Sequence, residues 1–204
     1  MIKRIKQALY FPIASYFRFF AQIKLAGWNP KIIAITGSSG KTTLLHLIES
    51  QLGEKAKYSH HANSSYGIPF DILGLKRKKL TPDEWIGLFL LAPFKAFKSV
   101  PNEKLYIVEA DCDRPGEGKF LASLLNPEIT LWISSSLTHS VNFDSLVNNK
   151  HFASAEEAIA NEFGYFLEYT KNLVIANGDS ELIQKQLERT SVPVKFVTEK
   201  DLRS

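Results

Sequence analysis

From residue 31 onward the apolar positions alternate between two kinds of segment. Residues 31–36, 105–109, 129–133, 173–176 and 192–197 are short runs rich in Ile, Val, Leu and aromatic residues, a pattern that predicts buried strands. Between them the spacing changes to three and four. Leu44, Leu45, Leu47, Ile48 and Leu52 share a helical face that Gly53 ends, and residues 117–125 form a shorter helix closed by Asn126-Pro127. Ser154-Ala-Glu-Glu157 has capping-box spacing ahead of Ala158, Ile159, Phe163, Phe166 and Leu167, and residues 179–187 read as a further helix. Thr81-Pro-Asp-Glu84 supplies an N-cap, a first-turn proline and a capping-box glutamate before Trp85-Ile-Gly-Leu-Phe-Leu-Leu91. That segment is apolar almost all round, so it needs burial or a partner surface. Strands alternating with helices predict an α/β fold, a mostly parallel sheet with helices on both faces, and a ligand beyond the carboxyl ends of the strands.

The first thirty residues stand apart from this rhythm. Lys3, Arg4 and Lys6 precede Tyr10, Phe11, Tyr16, Phe17, Phe19 and Phe20, with Arg18 and Lys24 interspersed. Residues 1–30 therefore form a basic aromatic helical segment and residues 31–204 the α/β region. One reading of residues 1–28 is an interfacial helix at an anionic membrane surface. The other is a helix packed on the region that follows, favoured because Pro12 breaks the helical face and polar and apolar positions mix around the wheel.

Composition narrows the picture further. With 204 residues, 45% of them hydrophobic and 23% charged, the chain can bury a sizeable core, which excludes a disordered tail. A lone cysteine, Cys112, rules out an intrachain disulfide and points to a reducing compartment, here the cytoplasm. No apolar run reaches the roughly 18–20 residues of a membrane span. A net charge of +4 is too mild to argue for nucleic acid. Lys76-Arg-Lys-Lys79 reads as a solvated loop or as a contact for a polyanion or membrane surface, and His60-His61 lacks zinc-ligand spacing and is assigned no metal role.

The candidate chemistry centres on the first strand, which runs into Gly37-Ser-Ser-Gly-Lys-Thr-Thr43 and then a helix. Phosphates need backbone N–H groups unobstructed by side chains, which Gly37 and Gly40 permit, and a positive helix terminus beneath them. Ser38, Ser39 and Thr43 complete the loop; Lys41 would reach the β- and γ-phosphates, and Thr42 would offer a hydroxyl to Mg²⁺. The general phosphate-loop pattern would place a glycine where Ile35 stands, so this loop is a variant. Glu109 and Asp111 end the second predicted strand and are the acids expected to hold Mg²⁺ directly or through water. His139, past the third predicted strand, is a further candidate.

Taken together these segments resemble the central, ATP-binding domain of the Mur ligases, with a P-loop NTPase-like fold, and among them the branch that adds D-alanyl-D-alanine to a UDP-muramoyl tripeptide. The resemblance rests on residues 35–43, Asn63-Ser-Ser-Tyr-Gly-Ile-Pro69, residues 108–117 with 126–129, residues 133–139 and, more weakly, residues 174–179. It implies an amide-forming reaction of peptidoglycan synthesis through an acyl phosphate. It also implies that Lys41 binds the β/γ-phosphates, that Thr42 and Glu109 hold one Mg²⁺ and His139 a second, and that Asn63 or Ser65 faces the nucleotide.

The departures matter as much. The family carries a metal-bridging lysine on the helix after the histidine, yet no lysine lies between Lys150 and Lys171, and residues 160–163 occupy that region. Ser134 stands where the family has asparagine. The family's adenine segment and its two substrate domains have no counterpart in the sequence. Three readings follow: a Mur-ligase-like ATP-binding protein, either a truncated member or one half of a ligase whose remaining parts lie on another chain; a non-catalytic nucleotide-binding or scaffold module; and an unrelated P-loop phosphotransferase.

Overall fold

The computed structural model describes residues 2–60, 62–79, 81–136, 143, 147 and 152–202. In chain order the elements are α1 (Ile2–Trp28), β1 (Lys31–Thr36), α2 (Lys41–Leu52), β2 (Ala56–Tyr58), α3 (Gly67–Leu73), α4 (Pro82–Phe97), β3 (Leu105–Ala110), α5 (Glu117–Leu125), β4 (Ile129–Trp132), α6 (Ala155–Tyr169), β5 (Leu173–Asn177), α7 (Glu181–Gln184) and β6 (Val194–Val197). The six strands form one parallel sheet in the order β2-β3-β1-β4-β5-β6. The five predicted strands are all present. The sixth, β2, has three residues, too few to show a periodicity.

Alternation along the strands sorts side chains onto two unequal faces. Ile32, Ala34, Tyr106, Val108, Trp132, Val174 and Ala176 point to the larger one, where they meet α1 and α3–α7 through Phe17, Ile72, Leu88, Leu121, Phe163 and Ile183. On the other face Ile35 and Ile107 pack against Leu45 of α2, flanked by Ile33, Leu131 and Ile133. Helices do cover both faces, but among the described residues α2 is the only helix in the second cluster.

Helix α1 belongs to the larger core. Ala14, Phe17, Ala21, Lys24 and Trp28 are buried at helical spacing. Phe17 lies 4.7 Å from the Phe70 ring and 5.0 Å from Phe89. Tyr16 donates to the Phe89 carbonyl at 2.7 Å, and Trp28 to that of Glu103 at 2.7 Å. Pro12 does not break the helix, contrary to expectation. Pro12 and Ala8, whose carbonyl loses its helical partner, are both exposed, so water can serve that carbonyl.

Other expectations need correcting. The predicted capping box at Thr81 is absent: no side chain bonds the cap, and Glu84 instead accepts from the backbone N–H groups of Lys78 and Lys79. Helix α4 buries Leu88, Ala92 and Ala96 but leaves Ile86, Leu90, Phe94 and Phe97 exposed. The helix expected over residues 179–187 shrinks to α7 and a separate 3-10 turn, Leu187–Arg189. Helix α3 was not predicted at all.

The packing of α1 gives a direct test. Phe17→Ala should destabilise the protein by about 3–5 kcal/mol, whereas Phe19→Ala, at a ring left 57% exposed, should cost no more than about 0.5 kcal/mol. Urea melts of both variants would overturn this orientation of α1 if the two losses were equal.

Candidate nucleotide-binding site

The central place of β1 between β3 and β4 brings three strand ends to one edge of the sheet. Gly37 leaves β1 at φ 129°, and a Cβ there would lie 2.7 Å from the Ser134 carbonyl oxygen, so only glycine lets the loop pass so close to β4. Gly40, at φ 81°, turns the chain into α2, whose cap carries no side-chain hydrogen bond. The N–H groups at the start of α2 are thus free of side-chain caps and directed at the loop, the arrangement that favours an anion. The loop is pinned from β4: Ser38 N–H donates to the Ser134 carbonyl (3.1 Å), Ser39 N–H to Ser134 Oγ (2.9 Å), and Ser38 Oγ to the Ser136 carbonyl (2.9 Å).

Polar side chains converge on this loop. Lys41 is buried; its Nζ donates to the Gly37 carbonyl at 2.5 Å and pairs with Asp111 Oδ2 at 3.1 Å. Thr42 Oγ1 donates to Glu109 Oε2 at 2.7 Å, and Asn63 Nδ2 reaches Glu109 Oε1 at 3.5 Å. The register Ile35↔Glu109 explains this arrangement, because neighbours in a parallel pair project to the same side and Ile35 faces α2. Glu109 therefore points to the side of the sheet that carries Thr42. Ser59 fixes the strand end by accepting from Glu109 N–H at 2.9 Å.

Behind the site, two buried carboxylates hold the connecting loops. Glu117 accepts from Ser65 N–H (2.9 Å), Ser65 Oγ (2.8 Å), Asp113 N–H (3.0 Å) and the Tyr10 hydroxyl of α1 (3.0 Å). The Arg114 guanidinium covers the Tyr10 ring at 3.7 Å, and the Tyr66 hydroxyl donates to the Tyr10 carbonyl at 2.7 Å. Burial above all, with the Glu117 charge beside it, holds the Tyr10 phenol far above the usual tyrosine range. Glu162 of α6 accepts from Gly116 and Gly118 N–H at 2.8 and 2.9 Å. Burial raises its carboxyl above the ordinary 4.5; those two N–H donors oppose the shift and Glu117 adds to it.

Next to the loop, the sheet face that α2 does not reach is open among the described residues. Leu44, Leu131, Ile133, Ile175 and Val197 line a cavity of about 460 Å³, with Asn177 and Asp179 among its polar lining. Ile133 belongs to both places, since it also approaches Gly40. An apolar slot edged by a few polar groups beside an anion-binding loop suits a planar ring joined to a phosphate chain.

Gly37, Ser38, Ser39, Gly40, Lys41, Thr42, Thr43, Asn63 and Glu109 all lie along this edge. Asp111 is also there, but as the counter-ion of Lys41. Ser65 is not; it is fully buried against Glu117. His139 lies outside the described residues. Residues 160–163 place Glu162 on the α5 N-terminus and bring no lysine. Sequence reasoning missed the pinning of the loop by Ser134 and Ser136, whose only signal is their position at the end of β4.

Comparison with known proteins gives a consistent picture. The family model described as the Mur ligase middle domain matches residues 35–203. A UDP-N-acetylmuramoyl-tripeptide–D-alanyl-D-alanine ligase from Borreliella burgdorferi is 27% identical over 172 residues, which is 79% of this chain and 32% of that protein. The ligase of the same name from Buchnera aphidicola is 26% identical over 132 residues, 61% of this chain and 24% of its own. Among solved structures, the MurF ligase of Thermotoga maritima in complex with ADP is similar with a TM-score of 0.66 at 19% identity, covering 92% of this chain and 37% of that one. A MurF structure from Acinetobacter baumannii gives 0.59 at 14% identity, covering 91% and 34%. The chain thus spans a quarter to a third of the curated relatives' length, and the structural likeness bears on the fold.

Glu162 makes the protein's stability depend on pH. Its raised carboxyl binds a proton more readily in the folded chain than in the unfolded one, so its contribution is full below the ordinary 4.5 and is lost as pH rises through the folded value. The stability of the wild type relative to Glu162→Gln should therefore decline between about pH 4 and about pH 7. Urea midpoints at the two pH values measure it, and a constant difference would refute the assignment.

Proposed function

Because the chain belongs to the Mur ligase family, matched through its middle domain, we propose that it binds Mg-ATP and serves the phosphoryl-transfer part of an ATP-dependent acid–amino-acid ligase of peptidoglycan synthesis. The observation that carries this reading is the 2.7 Å contact between the Thr42 hydroxyl and the Glu109 carboxylate beside the glycine loop. A hydroxyl and a carboxylate side by side form the hard oxygen donor set that suits Mg²⁺. When bound, the ion offsets the negative charge of the phosphate oxygens and of the group attacking them.

The remaining roles fall to the chain's own residues. The N–H groups of residues 40–43, at the start of α2, would cradle the phosphates, because those of Ser38 and Ser39 are committed to Ser134, and the cavity beside Ile133 and Ile175 would take the base. Lys41 would exchange its contacts with Gly37 and Asp111 for the β/γ-phosphates and so bring a positive charge to the transferring group. Asn63 would orient Glu109. A substrate carboxylate attacking the γ-phosphorus would release ADP and form an acyl phosphate, from which an amine would displace inorganic phosphate to give the amide.

The amino and sugar substrates would be brought by further segments or by a second chain, and the site of action would be the cytoplasm. Contact with the inner membrane face through residues 1–28 would depend on Leu9 and Phe19, the large apolar side chains of α1 that are described as exposed. A second reading, a nucleotide-binding module without ligase activity, is favoured by one observation. Where the family's metal-bridging lysine is expected, Glu162 is committed to the backbone of Gly116 and Gly118.

Nucleotide binding and catalysis can be tested separately. At about 100 times its Kd, Mg-ATP should add about 2.7 kcal/mol of stability and raise the melting temperature by about 5–10 °C. Lys41→Ala and Gly37→Ala should show no such rise; an unmoved wild type at millimolar Mg-ATP would sink both readings. Phosphate release that requires both a carboxylate and an amine, and is lost in Glu109→Ala, supports the ligase. Binding without such release supports the module.

A further inference from the structure

His46 and Glu49, one turn apart on the outer side of α2, meet His60 from the segment that leaves β2. His46 Nδ1 lies 3.2 Å from Glu49 Oε2, and His60 Nε2 lies 3.0 Å from Glu49 Oε1. The two imidazoles stack, with centroids 5.4 Å apart and planes 20° from parallel. One ligand atom from each residue falls within 4.8 Å of the other two, and no other such group of three occurs among the described residues. None of these side chains takes part in the nucleotide site.

We propose that His46, Glu49 and His60 form a binding site for a divalent transition-metal ion of the zinc class. Two neutral imidazole nitrogens and one carboxylate oxygen are a ligand set that zinc accepts, with remaining positions left to water. Around a tetrahedral ion with bonds near 2.1 Å, ligand atoms sit about 3.4 Å apart. The His–Glu separations, 3.2 and 3.0 Å to the two Glu49 oxygens, are close to that spacing, and with one ligand atom from each residue no pair lies more than 4.8 Å apart, so the three need to close by little more than about 1 Å to share one ion. The ion would replace the protons now shared between the imidazoles and Glu49. Mg²⁺, which prefers oxygen ligands, is the wrong cation for this site.

The site's place in the fold gives such an ion a consequence. His46 and Glu49 ride on the helix that begins at Lys41 and Thr42. His60 sits between Ser59, which holds the Glu109 backbone, and Asn63, which touches the Glu109 carboxylate. An ion shared by the three would clip the phosphate-loop helix to the segment that positions Glu109. Spacing along the chain gives no zinc pattern, because β2 intervenes between the helix ligands and His60.

Chelator-treated full-length protein titrated with ZnCl₂ tests the proposal by calorimetry, with Co²⁺ absorption as a second readout. One ion per chain is expected, bound roughly tenfold or more weakly by His46→Ala and by His60→Ala. His151→Ala should bind as the wild type does, and circular dichroism checks that each variant is folded. Zn²⁺ should also raise the melting temperature of the wild type but not of His46→Ala. No binding at about 100 µM Zn²⁺, or equal binding by the wild type and both histidine variants, overturns the site. Binding without a rise in melting temperature overturns the clip.

Discussion

The position of β1 between β3 and β4 is the constraint on which the candidate site depends. Because all three strands are parallel and in register, the glycine loop, Glu109 and Ser134 emerge at the same edge of the sheet. Thr42 and Glu109 lie far apart in sequence, yet each follows from where its strand ends and on which side of the sheet it faces. The absence of a Cβ at Gly37 then lets the loop lie on the backbone of β4. A sheet with another strand order would separate these groups even if it contained the same motifs.

The unequal covering of the two faces explains the division of labour. Six of the seven helices described crowd the larger core, where Trp132, Tyr106, Phe163 and Phe166 are fully buried. This is the side that holds the molecule together. Among the described residues the opposite face carries α2 alone and keeps an apolar surface over β4–β6. The main core and the candidate site thus lie on different sides of one sheet.

Much of this was legible in the sequence because strand length, glycine placement and capping residues report directly on backbone geometry. Gly53 and Asn126 end their helices at positive φ, and Ser154 accepts from Glu157 N–H as its spacing predicts. What escaped was set by tertiary context. The edge strand β2 is too short to have a pattern, and α3 contains Gly67 and Pro69, which read locally as a turn. Glu109 and Asp111 look equivalent in sequence; only the folded contacts separate the Thr42 partner, which lies within β3, from the Lys41 counter-ion, which lies just beyond it. The aromatic run of α1 suits a membrane surface as well as a core in sequence; the rings of Phe70 and Phe89 against Phe17 identify its packed side.

The bond from Tyr10 to Glu117 joins the amino-terminal helix to the loops that frame the site. Glu117 also holds Ser65, close behind Asn63, and Asp113, close behind Asp111, so the helix braces the two segments that follow β2 and β3. A change in α1 therefore reaches the segments carrying Asn63 and Asp111 through Glu117 and through the Tyr66–Tyr10 bond. In a genetic screen, damage to this helix would pass for damage to the candidate site, although every residue of the glycine loop had been left intact.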